Sequence, residues 1–96
     1  AYRLGLEMNR VDSRLNALRN ERSSIFGRLR ELSQYKRQPK KEGEDEDQYD
    51  DEERRRQRAF ARERESLNIR LLEIEREASR LDDDFRHLEW EARRLR

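Results

Sequence analysis

Ninety-six residues carry 24 Lys or Arg against 23 Asp or Glu, so about half the chain is charged while the formal net charge is only +1. Hydrophobic residues make up 31%, too few for a globular core closed on all sides, and the length allows one domain at most. Cysteine is absent, which excludes a disulfide framework or a thiolate metal site, and no apolar run approaches the roughly 18 residues of a membrane helix. No signal peptide is visible. The periodic pattern described next is already under way at Ala1 and still running at Leu95-Arg96. The expectation is a segment of a longer protein, intracellular, working in the cytoplasm or cytoskeleton or in the nucleus.

The first predicted element, 1–36, holds an unbroken 4-3-4-3 series: Leu4, Met8, Val11, Leu15, Leu18, Arg22, Ile25, Leu29, Leu32. Steps of three and four place all of these on one narrow stripe of an α-helix, the seam of a coiled coil. Gly5 and Gly27 each weaken helix propensity by up to ~1 kcal/mol, so the seam must supply the stability. Arg22 is the one charged member. Its stem can snorkel along the seam and leave the guanidinium at the surface, or its charge can specify register. A second stripe on the outer face, Ser13, Asn16, Asn20, Ser23 and Gly27, carries no charge and offers small residues to a second interface.

Residues 37–49 read as a charged flexible linker, with Pro39 and Gly43 breaking the helix. The third segment, 50–96, opens with Asp50 followed three residues later by Glu53, the form of a capping box, and its early carboxylates suit a helix N-terminus. It then repeats the seam spacing over Leu67, Leu71, Ile74, Ala78, Leu81, Phe85, Leu88, Ala92 and Leu95. Arg64, one step earlier, invites the same reading as Arg22. The predicted fold class is therefore all-α: two long helices closing as an antiparallel coiled-coil hairpin, with further dimerisation open.

Charge supports the antiparallel choice. A parallel homodimer of the second helix would set Glu77 against Asp82 and Asp84 against Glu89. One antiparallel stagger instead pairs Arg14 with Glu77, Glu21 with Arg70, and Arg28 with Glu63. Other staggers bury more apolar residues but match charge less well, so register stays open. Tyr2, Leu6 and Phe26, with Ile69, Leu72 and Trp90, fall off the seam, either to pack across its flank or to meet another chain; Trp90 is the member best suited to anchoring one.

Nothing in the sequence assembles an active site. His87 is the single histidine, and the acidic runs lack the ligand spacing of a calcium loop. The expectation is a non-catalytic segment with no cofactor and no metal. The clearest functional sign is basic: Arg54, Arg55, Arg56, Arg58, Arg62 and Arg64 follow nine acids between Glu42 and Glu53, with Lys36, Arg37, Lys40 and Lys41 before them. Such cations suit a polyanion, although the acids between them screen the field within a Debye length of ~8–10 Å.

The heptads Leu67-Leu71-Ile74-Ala78-Leu81 and the Arg54–Arg64 block, joined by an acidic reversal, resemble the hairpin coiled coils of cytoskeletal and kinetochore proteins that touch microtubules. They are also similar to helical arms that grip tRNA in some synthetases. That resemblance implies a scaffold segment whose partners are protein, a second copy of itself or microtubules, with nucleic acid less favoured and no membrane. It carries no functional residue. The alternatives are a nucleic-acid-binding arm and a pure homo-oligomerisation module.

Overall fold

A computed structural model describes residues 2–95; residues 1 and 96 lie outside it. It contains two helices, α1 (Tyr2–Ser33) and α2 (Glu46–Arg94), folded into a helical hairpin. The rod measures 77 × 17 × 17 Å with a radius of gyration of 22.2 Å. A compact domain of this length has a radius of about 12–13 Å, so the chain is built for reach. The 49 residues of α2 alone span about 73 Å at 1.5 Å per residue.

Three bidentate ion pairs fix how the helices meet. Arg14 donates to Glu77 at 2.8 and 3.1 Å, Arg70 to Glu21 at 2.6 and 2.8 Å, and Arg28 to Glu63 at 2.5 and 2.8 Å. The residue numbers of each pair sum to 91, so a step of seven up one helix is a step of seven down the other. This is the charge-matched stagger, and the helices run in opposite directions. Between the paired side chains the seam closes: Leu18 and Ile74 are 1% and 2% exposed, Ile25 is buried beside them, and Leu29, Leu67, Leu71, Ala78 and Leu81 pack against this cluster. Leu15 and Leu32 are also buried. Leu4, Met8, Val11, Phe85 and Leu88, toward the open end, are only half-buried. Leu95 does not belong to the seam as expected. It caps the C-terminus of α2 at 67% exposure, because in this register α1 begins opposite residue 89.

Both inner boundaries differ from the expected ones. α1 stops at Ser33, whose hydroxyl donates to the Arg30 carbonyl, so 34–36 are not helical. α2 starts at Glu46, four residues before Asp50, and the last four residues of the expected linker are helix. Asp45, not Asp50, is the N-cap: its backbone is extended and its carboxylate accepts from the Asp47 N–H at 3.2 Å. Glu46 and Asp47 then occupy the first turn and Arg93 and Arg94 the last, each favoured by the helix dipole. Before Asp45 the chain turns over 41–44, where the Glu44 N–H donates to the Lys41 carbonyl at 3.1 Å. Gly43 sits at φ +80°, the positive angle that the third position of a type II turn demands.

Candidate interaction surface

The connection is held by specific contacts. Arg37 donates to the Tyr49 hydroxyl at 3.0 Å and to Asp50 at 2.5 Å, with its guanidinium 4.7 Å from the Tyr49 ring centroid. The Tyr49 hydroxyl donates in turn to the Gln38 carbonyl. Deeper in, the Tyr35 hydroxyl donates to Glu53, 3.1–3.2 Å from both carboxylate oxygens, and accepts from Arg56 at 2.9 Å, while its ring meets Phe60 edge-on at 4.8 Å. Glu53 is 6% exposed, and Arg56 and Gln57 also donate to it at 2.7 and 3.1 Å. Burial alone pushes the Glu53 carboxyl up; hydrogen bonds from Gln57 and Tyr35 and the charge of Arg56 outweigh it and hold the group below its ordinary value.

Glu53 is thus a seam residue rather than part of a cap. Counting back from Leu67 by threes and fours reaches Arg64, Phe60, Gln57 and Glu53, so the signal was present in the spacing. It was masked by polarity, because the groups that satisfy Glu53 come partly from across the reversal. Of the two seam arginines, Arg22 is exposed with its guanidinium 5.2 Å from the Phe26 ring centroid, the snorkelled arrangement, and Arg64 is also exposed.

The ten basic residues expected to form one polyanion site fall into two groups. Arg37, Arg54 and Arg56 are engaged by acids of the reversal: Arg37 by Asp50, Arg56 by Glu53, and Arg54 by Asp51 at 3.3 Å. These ion pairs set Arg37, Arg54 and Arg56 apart from the other seven, whose charges no acid engages among the described residues. Lys36, Lys40, Lys41, Arg55, Arg58, Arg62 and Arg64 are exposed and form no ion pair among the described residues. Arg55, Arg58 and Arg62, spaced three and four apart, line up on the outside of α2.

Of the small-residue stripe, Ser13, Asn16, Asn20 and Ser23 are exposed and Gly27 is half-buried. A Cβ placed on Gly27 meets nothing within 4 Å, so no close approach inside the hairpin requires glycine there. Trp90 is 53% exposed but is dressed by its own helix: His87 stacks on it with ring centroids 6.2 Å apart, and the Arg94 guanidinium lies 5.2 Å from its ring. His87 faces Glu91 at 3.1 Å. The other off-seam residues, Tyr2, Leu6, Phe26, Ile69 and Leu72, are exposed.

The two flanks of the seam differ. One carries the three ion pairs. On the other, an open groove of about 350 Å³ runs beside Leu18, Ile74 and Ala78 and is rimmed by Arg19, Arg22, Glu75 and Asp82, with no ion pair closing it among the described residues. The same residues hold no group of three or more His, Cys, Asp or Glu able to bind a metal ion, and no helix among them is long and apolar enough to cross a membrane. No family model matches the chain, and no match was found among curated proteins or solved structures.

Proposed function

We propose that this chain is a non-catalytic structural and interaction segment, a stiff arm that holds surfaces apart and presents charge along its length. The observation that carries this reading is the 77 Å rod with the arginine row Arg55, Arg58 and Arg62 exposed and free of ion pairs among the described residues. Helices locked side by side resist bending better than one helix, and a row of cations on such a support meets a polyanion without reorganising. The favoured partner is an acidic polymer surface of the kind tubulin tails offer, which places the segment in a cytoskeletal or chromosome-segregation scaffold in the cytoplasm or nucleus.

Co-pelleting with microtubules across a salt series tests this. Binding that falls steeply with salt and disappears in Arg55→Glu/Arg58→Glu/Arg62→Glu supports it. Pelleting unchanged by the triple reversal, or none at low salt, overturns the microtubule contact. Competition by duplex DNA or RNA at equal charge would move the reading to a nucleic-acid-binding arm.

A further inference from the structure

The outer face of α2 carries a second unbroken series of fours and threes, running from Arg58 through Arg62 and Glu65 to the exposed pair Ile69 and Leu72, then through Arg76 and Ser79 to Asp83. Every residue in it is exposed, and none of its charges is ion-paired among the described residues, whereas the Arg and Glu residues of the seam flank find partners. Ile69 and Leu72 are 51% and 55% exposed and line a shallow groove of about 430 Å³ with Ala61, Arg64, Glu65 and Asn68. Two large aliphatic side chains side by side on a highly charged rod are an apolar island without cover inside the chain.

We infer that this face is covered by a second copy of the same chain, its α2 lying antiparallel to the first about a two-fold axis between Ile69 and Leu72. The sequence of the stripe is complementary to its own reversal. Ile69 of one copy then meets Leu72 of the other, and by symmetry Leu72 meets Ile69. One step out, Glu65 faces Arg76; at the ends, Arg58 faces Asp83; Arg62 faces the neutral Ser79. Each pairing occurs twice, as an isologous interface requires. A parallel association sets every charge against its own copy. Shifting the antiparallel register by one heptad in either direction brings Arg58 onto Arg76, or Asp83 onto Glu65 and Arg62 onto Arg86. One step beyond the matched stretch Arg55 meets Arg86, which limits the contact to 58–83, about 38 Å of helix.

This inference rests on the reading of the chain as an interaction segment and names the partner. It also puts Arg58 to use in the dimer, so self-association and polyanion binding compete for that side chain.

The test is a charge swap on the 96-residue chain, read by sedimentation and by helicity. The parent chain should pass from a mass of 11.9 kDa to twice that as concentration rises, and higher salt should shift the midpoint to higher concentration. Glu65→Arg and Arg76→Glu should each stay monomeric at concentrations where the parent is dimeric, with helicity unchanged. Mixed one to one, the two variants should form a heterodimer. The first then carries arginine at both positions and the second glutamate at both, so opposite charges meet at each of the two symmetry-related contacts. A parent chain that stays monomeric at every concentration overturns the inference, as do single variants that dimerise like the parent or a mixture that fails to associate. Loss of helicity in the parent would instead overturn the hairpin arm itself, so the two failures are distinguishable.

Discussion

The two flanks of one seam show two ways of using charge. On the closed flank Arg14, Glu21 and Arg28 of α1 meet Glu77, Arg70 and Glu63 of α2, each pair bidentate and each set one heptad from the next. On the open flank Arg19 and Arg22 share a groove with Glu75 and Asp82 and no ion pair bridges it among the described residues. Opposite charges are present on both sides, so composition does not distinguish them. The closed flank alternates in sign along each helix, with Arg14, Glu21 and Arg28 answered by Glu77, Arg70 and Glu63, so a slip of one heptad sets like against like. The open flank has no ion pair among the described residues for such a slip to break. One flank specifies register; the seam between them supplies the stability.

The largest effect should come from the seam that both flanks share. Leu18→Asp places an unpaired charge where only 1% of the residue is exposed and should abolish helicity at room temperature, while Leu18→Ala should cost about 2–5 kcal/mol by chemical denaturation. The same Asp at Leu72, on the outside, should leave helicity intact. If both positions tolerate Asp equally, the seam is misplaced.

Next come the ion pairs. Hydrogen bonds from their arginines hold Glu21, Glu63 and Glu77 below the ordinary glutamate value of about 4.3, and raise Arg28 and Arg70. Groups with depressed folded-state pKa values stabilise the fold above the unfolded value and lose that contribution as pH falls through the folded one. Thermal stability should therefore be level near neutrality and decline below about pH 4.3. Glu21→Gln/Glu63→Gln/Glu77→Gln should lower the neutral plateau and flatten that acid limb. Glu63→Arg should lower the midpoint by several degrees, and adding Arg28→Glu should recover most of the loss.

A smaller effect is expected at the reversal, where Gly43→Ala forces a side chain into a positive-φ position and should cost about 1 kcal/mol. The smallest belongs to the open flank: Arg19→Ala with Glu75→Ala should leave the denaturation midpoint unmoved, since neither side chain has an ion-pair partner among the described residues to lose.

Much of the fold was legible because a seam needs only spacing. Leu15, Leu18, Ile25, Leu32 and Ile74 are buried as their threes and fours imply, whereas register was open in the sequence, because charge favoured one stagger and apolar burial others, until the three bidentate pairs decided it. The loop end was not legible in the same way. Glu53, Tyr35, Phe60 and Arg56 satisfy one another across the reversal, a tertiary arrangement that no local rule encodes, and a buried carboxylate reads as surface until its donors are located. The helix start is ambiguous in the sequence for a related reason: with nine acids among the twelve residues from Glu42 to Glu53, several positions have capping chemistry, and the turn at Gly43 leaves Asp45 in that role. The basic block was visible as composition, but which of its cations are free depends on where Asp50, Asp51 and Glu53 lie in space.

The register of the hairpin is tested most directly by one distance. Spin labels placed at Ser24 of α1 and Ser66 of α2, both exposed and opposite one another in the observed stagger, should give a narrow distribution centred near two helix diameters, roughly 20 Å. That distance should survive dilution with unlabelled chain, because the hairpin closes on itself. A separation beyond about 50 Å, or a short one that vanishes on dilution, would contradict the account by showing an open helix or helices exchanged between chains.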